Sequence, residues 1–364
     1  MAQGRVSLSD KTKFDSHCHG CLPEGCRQCV EGKKLVLFVG GKCPRACWYC
    51  SLSNNRKNSP KCFANERSVK RVKDLIDEAV SSRSLGCGIT GGDPLYYFKQ
   101  TMKYVKALRK KFGKRFHIHI YLPFPLVDEK KIRRLAKYVD EFRFHPGFLI
   151  DIKRASEDVK KLKLVNSIIG RKRMGIEMPV IPGLEKEMFA FIDKVKDLVS
   201  FVNLNEFEIS DTNFKIVTKK YKLNGDTYTI NGSLKAGLWI LKQVKKGGSD
   251  LNMHLCTART KNSHQYFKRL MRRKILPYGN RTDEGTVIYF AIYSNGKSLR
   301  RIARDISRIT KKYYVDKIGK RVIINMDDVE YVWDDLSDKY KIARVEESPT
   351  HDREVMSFWH IGED

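Results

Sequence analysis

The sequence predicts an α/β fold: a (β/α) barrel, full or partial, with a cysteine-rich lead before it and a small α+β domain after it. Three observations predict this. Short apolar runs alternate with amphipathic helical stretches through residues 33–280, the rhythm of parallel β/α units. Seven of the ten cysteines fall between Cys18 and Cys50, around the first apolar run. Beyond residue 281 the order becomes β-α-β-β-α-β, which suggests a ferredoxin-like domain. The length of 364 residues suits two domains at about 150 residues each, or one large domain with an appendage. The expected division is 1–32, 33–280 and 281–364, with the last boundary near Pro277 to Gly285.

The elements follow in order. Leu35-Val36-Leu37-Phe38-Val39 is an unbroken apolar run, as expected of a strand buried on both faces. Gly40, Gly41 and a cysteine loop follow it. Val69, Val72, Ile76, Ala79 and Val80 mark one face of a helix within 66–81. Cys87 to Thr90 reads as a strand ending in Gly91-Gly92-Asp93-Pro94. Helices are expected at 97–112, 128–139, 156–168, 186–199 and 233–245. Strands are expected at 116–122, 141–145, 175–181, 201–209 and 251–256. A basic helix is expected at 262–274. In this architecture the chemistry sits at the C-terminal ends of the strands. In the tail, strands at 286–293, 313–318, 321–325 and 342–347 alternate with helices at 298–311 and 328–337, and 355–360 is a further candidate strand.

Composition narrows the class. The chain is 41% hydrophobic and 31% charged, a globular balance. No apolar run approaches the ~20 residues that span a bilayer. Met1 to Lys13 is polar with no apolar core, so no secretory signal is expected and the cytoplasm is the expected location. The net charge is +29, and it is unevenly placed. Residues 281–364 hold 15 basic and 16 acidic side chains; residues 1–280 hold 56 and 26. A field of that sign attracts a polyanion, and RNA or DNA is the commonest one.

Cys43, Cys47 and Cys50 follow the first strand as C-x3-C-x2-C. Three thiolates are one short of a closed tetrahedral zinc site and suit a [4Fe–4S] cluster with one iron left open. This loop, with aromatic Tyr49 before the last cysteine, resembles that of the radical S-adenosylmethionine superfamily. Gly91-Gly92-Asp93-Pro94 is similar to the superfamily's Gly-Gly-Glu-Pro segment, with aspartate in place of glutamate. The resemblance implies that its backbone contacts the amino group of S-adenosylmethionine. The segment from Gly175 to Gly183, which contains Glu177, resembles the strand motif that passes the adenine. Within the superfamily the chain resembles the archaeal branch related to pyruvate formate-lyase activating enzymes, and Phe201 to Glu208 is also similar to that group. The resemblance implies reductive cleavage of S-adenosylmethionine to a 5′-deoxyadenosyl radical. It also implies an electron donor such as ferredoxin or flavodoxin.

The lead carries Cys18, Cys21, Cys26 and Cys29 as C-x2-C-x4-C-x2-C. Two such pairs can close a four-thiolate site for zinc or a second iron–sulfur cluster; disulfides fit poorly with the cytosol. His17 and His19 are expected outside that shell. Cys62, Cys87 and Cys256 stand alone, as small core residues do, although His254 and Cys256 share one strand face near the expected barrel mouth. From Leu251 to Thr282 there is no acidic residue, and Lys268, Arg269, Arg272 and Arg273 suit phosphate contacts. The functional expectation is a radical S-adenosylmethionine enzyme that modifies RNA. The alternatives are an activase that makes a glycyl radical on a protein, and a cluster-bearing nucleic-acid-binding protein without turnover.

Overall fold

The computed structural model describes residues 11–225, 227–294 and 296–362. Most of the stretch expected to lack an export signal, and the first ten residues of the lead, lie outside the described residues. Two units emerge, one ending at Tyr266 and the other running from Phe267 onward together with Ser81–Arg83. The segment 267–280, expected to belong to the barrel, is therefore part of the second unit.

The first unit contains strands β1 (His17–His19), β2 (Lys34–Phe38), β3 (Phe63–Ala64), β4 (Arg67–Ser68), β5 (Gly86–Thr90), β6 (His117–Pro123), β7 (Glu141–His145), β8 (Met174–Val180), β9 (Phe201–Glu206) and β10 (Asn252–Cys256). Its helices are α1 (Glu24–Val30), α2 (Val72–Ser81), α3 (Phe98–Phe112), α4 (Glu129–Leu135), α5 (Ala155–Ile169), α6 (Glu185–Val195), α7 (Phe214–Val217) and α8 (Ser233–Lys246). The sheet order is β1-β10-β9-β8-β7-β6-β5-β2-β3-β4. Strands β2 and β5 to β10 pair in parallel in chain order, the order of a barrel left open at its edges.

Alternation along the strands sorts the side chains. Ile118, Ile120, Phe142, Phe144, Ile176, Val202, Leu204, Met253 and Leu255 join the helices in one hydrophobic cluster. The intervening residues include His119, Tyr121, Arg143, Glu177, Asn203 and His254, and they bond to one another: Arg143 to Glu177, Asn203 to Glu177, and His254 to Asn203. Period-two alternation thus places a polar network on the face away from the helices.

The lead is not a separate module. β1 pairs antiparallel with the β10 edge, with Cys18 opposite His254. The α1 backbone enters the polar face: Gly25 N–H donates to Glu141 at 3.1 Å. A Cβ at Gly25 would stand 2.6 Å from the Arg143 and Glu141 side chains, so a larger residue there would push against that pair.

The second unit contains α9 (Phe267–Arg272), β11 (Asn280–Arg281), β12 (Val287–Tyr293), α10 (Leu299–Ile306), β13 (Tyr313–Asp316), β14 (Arg321–Ile324), α11 (Val329–Leu336), β15 (Lys341–Glu347) and β16 (Val355–His360). Its sheet runs β13-β14-β12-β15-β16, antiparallel throughout, with β11 against β12. Ile292, Ile302, Ile306, Val322, Val332 and Leu336 form its core.

The basic helix expected at 262–274 forms, but its first part is not a regular α-helix. A π-helical turn covers Thr260–Tyr266, and α9 covers six residues. Arg273 is buried, and the Arg272 guanidinium donates to the Arg83 carbonyl at 2.6 Å. Backbone capping and burial take up side chains that the spacing had assigned to a basic face for RNA.

Candidate active site

A cavity of about 370 Å³ opens at the C-terminal ends of the parallel strands, within the range of small-molecule sites at roughly 300–1,000 Å³. Cys43, Cys47, Cys50, Tyr49, Gly91, Gly92 and Glu177 all line it. The three cysteines, the glycine turn and the β8 glutamate are thus brought together from separate parts of the chain. Asp93 and Pro94 are buried and do not line the cavity. The Asp93 carboxylate accepts from Leu95 N–H at 2.8 Å, which makes it a turn residue. Burial raises its pKa to about 6.

Several bonds fasten the cysteine loop. Arg45 donates to the carbonyls of His145 and Pro146, each at 2.6 Å, which anchors the loop to the end of β7. Trp48 donates to the Leu149 carbonyl at 3.3 Å and stacks on Tyr221. Thr212 Oγ1 donates to Leu52 at 2.6 Å and to Cys50 at 3.0 Å. Gly92 N–H donates to Gly40 and Asp93 N–H to Lys42. This backbone approach explains the glycine pair: a Cβ on Gly92 would stand 2.4 Å from the carbonyl oxygens of Gly41 and Lys42. We expect Gly92→Ala to displace the loop, cost about 1–3 kcal/mol and lower iron content after reconstitution. Thermal unfolding with iron analysis checks this; wild-type values for both would refute it.

The strand ends add groups that the motifs did not identify. His145 Nδ1 lies 2.8 Å from the Glu177 carbonyl, which only accepts, so Nδ1 carries the proton. His145 Nε2 then accepts from the Tyr49 hydroxyl at 3.1 Å. Burial lowers the His145 pKa to about 3 and raises that of Tyr49, so the pair is neutral. Both Glu177 carboxylate oxygens are engaged: one by Arg143 at 3.0 Å, the other by Asn203 at 2.5 Å and Asn205 at 2.6 Å. Lys261 and Glu208 also line the cavity and pair at 2.6 Å. His145 ends a strand visible in the sequence, and the rule of C-terminal strand ends points to it. Lys261 gave no comparable signal, because it sat among basic residues assigned to RNA.

Burial raises the pKa of Cys43 to about 11 and also raises that of Cys47. Such thiols stay protonated unless a cation takes the proton's place. The three-thiol donor set, sharing one cavity with the Gly91-Gly92 edge, fits a three-cysteine [4Fe–4S] site. Among the described residues no group of three or more histidine, cysteine, aspartate or glutamate side chains stands within reach of a single metal ion. A four-iron cluster binds each thiolate at its own iron, so that finding does not weigh against it.

It does bear on the lead. Among the described residues Cys18, Cys21, Cys26 and Cys29 do not gather around a single ion such as zinc; the other expectation there, a second iron–sulfur cluster, is not weighed by that finding. Cys21 is exposed. Cys26 is buried, taking a bond from Arg143 at 3.2 Å and donating to Asn203 at 3.5 Å. Cys29 donates to Gln265 at 3.3 Å. α1 directs Cys26 into the polar network while the preceding turn leaves Cys21 at the surface. Cys62, Cys87 and Cys256 are buried, as lone core cysteines are. Cys256 accepts from Gln265 at 3.3 Å and does not line the cavity.

A thiol-lined cavity at the strand ends of an open β/α sheet suits an iron–sulfur site on a β/α scaffold. The family model for the radical SAM superfamily matches residues 37–174. A Methanocaldococcus jannaschii protein with the provisional name glycyl-radical enzyme activating enzyme MJ0021 is 33% identical over 334 residues, covering 89% of this chain and 86% of its own length. Among solved structures, the radical S-adenosylmethionine methyltransferase TsrM from Kitasatospora setae, with tryptophan and a cofactor analogue bound, is 12% identical with a TM-score of 0.37; the match covers 55% of this chain and 42% of TsrM. The chain thus spans about two fifths of that protein's length. The enzyme anSMEcpe with AdoMet and a peptide is 14% identical, covers 70% of this chain and 73% of its own, and has a TM-score of 0.36. The chain belongs to the radical SAM superfamily. It is a radical SAM enzyme, of the family whose members use a [4Fe–4S] cluster and S-adenosylmethionine.

Proposed function

We propose that this enzyme is an activase that generates a glycine-centred radical on a protein partner. The observation that carries this reading is the likeness, along most of both chains, to a relative provisionally named as such an activating enzyme. Cys43, Cys47 and Cys50 would hold the cluster, which with S-adenosylmethionine would supply reductive cleavage of the cofactor to a 5′-deoxyadenosyl radical and methionine, drawing its electron from a ferredoxin or flavodoxin. The Gly91-Gly92 edge seats the amino-acid end of the cofactor, with Asp93 and Pro94 shaping that turn. Tyr49 and His145 close the wall behind the cysteines as a neutral pair that offers no competing proton. Glu177 acts through the β8 backbone, because both of its carboxylate oxygens are already bonded.

The second unit is read as a ferredoxin-like domain. In support, its first four long strands take the spatial order 2-3-1-4 with a helix after the first and the third. The domains are taken as a barrel that includes the lead and a C-terminal α+β unit. The cytoplasm is the proposed location, supported by ten cysteines with no disulfide among them. No helix among the described residues is long and apolar enough to cross a membrane.

The test is electron paramagnetic resonance. Reduced, iron-reconstituted enzyme is incubated without oxygen with S-adenosylmethionine and cell-extract protein. The expected result is a persistent protein radical whose doublet collapses when the extract comes from cells fed [2,2-²H₂]glycine. A second reading, RNA modification, is favoured by the excess of basic residues before position 281. A changed nucleoside mass after incubation with RNA, and no protein radical, would establish that reading instead.

A further inference from the structure

Radical SAM chemistry is common to the superfamily, and the superfamily model ends at residue 174. Cavity residues beyond both that point and the β8 segment read as passing the adenine are the candidates to meet what differs between members, the substrate. They include Asn205 to Glu208 at the end of β9, and Lys261 on the π-helical turn. Lys261 is the one lysine of this group, and 31% of its side-chain surface is open. Its Nζ sits 2.6 Å from Glu208 Oε1. Burial opposes its charge, but Glu208 and the nearby Cys256 outweigh burial, so its pKa lies above the ordinary lysine value. A partly buried ion pair is weak support for a fold, since apolar residues of the same volume serve as well. A π-helical turn is also a costlier way to carry a lysine than a regular helix.

The pair offers a fixed N–H donor beside a fixed carboxylate acceptor. An unsubstituted glycine has no side chain to recognise; its only handles are the carbonyl before or after it and its own N–H. A donor and an acceptor side by side match those two handles. We propose that Lys261 and Glu208 form the substrate-side anchor of the cavity, reading the main-chain amide of the target glycine and holding its Cα toward the cofactor. This rests on the activase reading. In the step served, the 5′-deoxyadenosyl radical takes one hydrogen atom from glycine Cα. One C–H bond breaks, one forms, and the unpaired electron stays on the glycine carbon. The anchor exchanges no electron or proton; it is a specificity determinant.

The experiment compares Lys261→Met, Lys261→Arg and Glu208→Gln with wild type. Two readouts are taken: 5′-deoxyadenosine formed from S-adenosylmethionine alone, and the glycine-derived radical formed with cell-extract protein. Loss of one charge-assisted bond is expected to cut radical yield roughly tenfold to a hundredfold. Cleavage without substrate should stay within about twofold, since the cysteine loop and Gly91-Gly92 are untouched. Lys261→Arg should recover part of the yield, because it restores a charged donor. Glu208→Gln keeps the side-chain volume and serves as the second variant should Lys261→Met fold poorly. Wild-type radical yield in Lys261→Met would overturn the anchor and leave the activase reading standing. So would loss of substrate-free cleavage at an unchanged unfolding temperature, which would move Lys261 to the cofactor. No protein radical with the wild-type enzyme would overturn both.

Discussion

Replacing Cys43, Cys47 or Cys50 with alanine is expected to abolish formation of 5′-deoxyadenosine. Each supplies one of three thiols in a cavity with no fourth cysteine on its wall. Two thiolates leave a second iron of the cluster without a protein ligand, and the cluster is then lost or converted. Iron bound after reconstitution should fall from about four per chain toward zero, and cleavage should drop below detection. The Cys62→Ala variant is the control: Cys62 is buried away from the cavity and should keep its iron. A single loop variant that retained wild-type iron and turnover would remove the loop from the chemistry.

The largest expected loss of stability is at Arg143, which is 2% exposed. Its guanidinium donates to Glu141 at 2.7 Å, to Glu177 at 3.0 Å and to the Cys26 thiol at 3.2 Å. It also lies over the rings of Tyr121 and Phe201. Arg143→Met leaves the buried Glu141 and the half-buried Glu177 without their counter-charge, a change that costs about 3–5 kcal/mol. The unfolding temperature should fall by roughly 10 °C at this chain length. Combining it with Glu141→Gln should recover part of the loss, because the double variant removes one stranded charge. A single variant that unfolds within one degree of wild type would show that the network is not what holds α1 against the sheet.

Much of the site was legible because its parts are local. A C-x3-C-x2-C loop after an apolar strand, and Gly-Gly-Asp-Pro at the end of the next, are short-range patterns, and the parallel fold converges such loops at one end. The strands were legible too, but not what their alternation means. His119, Tyr121, Arg143, Asn203 and His254 interrupt apolar runs on alternate positions, and period two sends them together to one side. The lead was harder to read for a related reason. C-x2-C-x4-C-x2-C is a statement about spacing, whereas thiol direction depends on α1 meeting Glu141 and Arg143, more than 110 residues away. The basic segment was legible as a helix but not as a π-helical one, and that π-helical turn is what carries Lys261 on the cavity wall.

The most direct measurement of the central claim is isotope transfer. Reduced, reconstituted enzyme is given unlabelled S-adenosylmethionine and extract protein from cells grown on [2,2-²H₂]glycine, and the 5′-deoxyadenosine formed is weighed by mass spectrometry. The account predicts one added deuterium in the wild-type product and none when the extract has first been digested with protease. Abundant 5′-deoxyadenosine that stays unlabelled in the intact extract would contradict it.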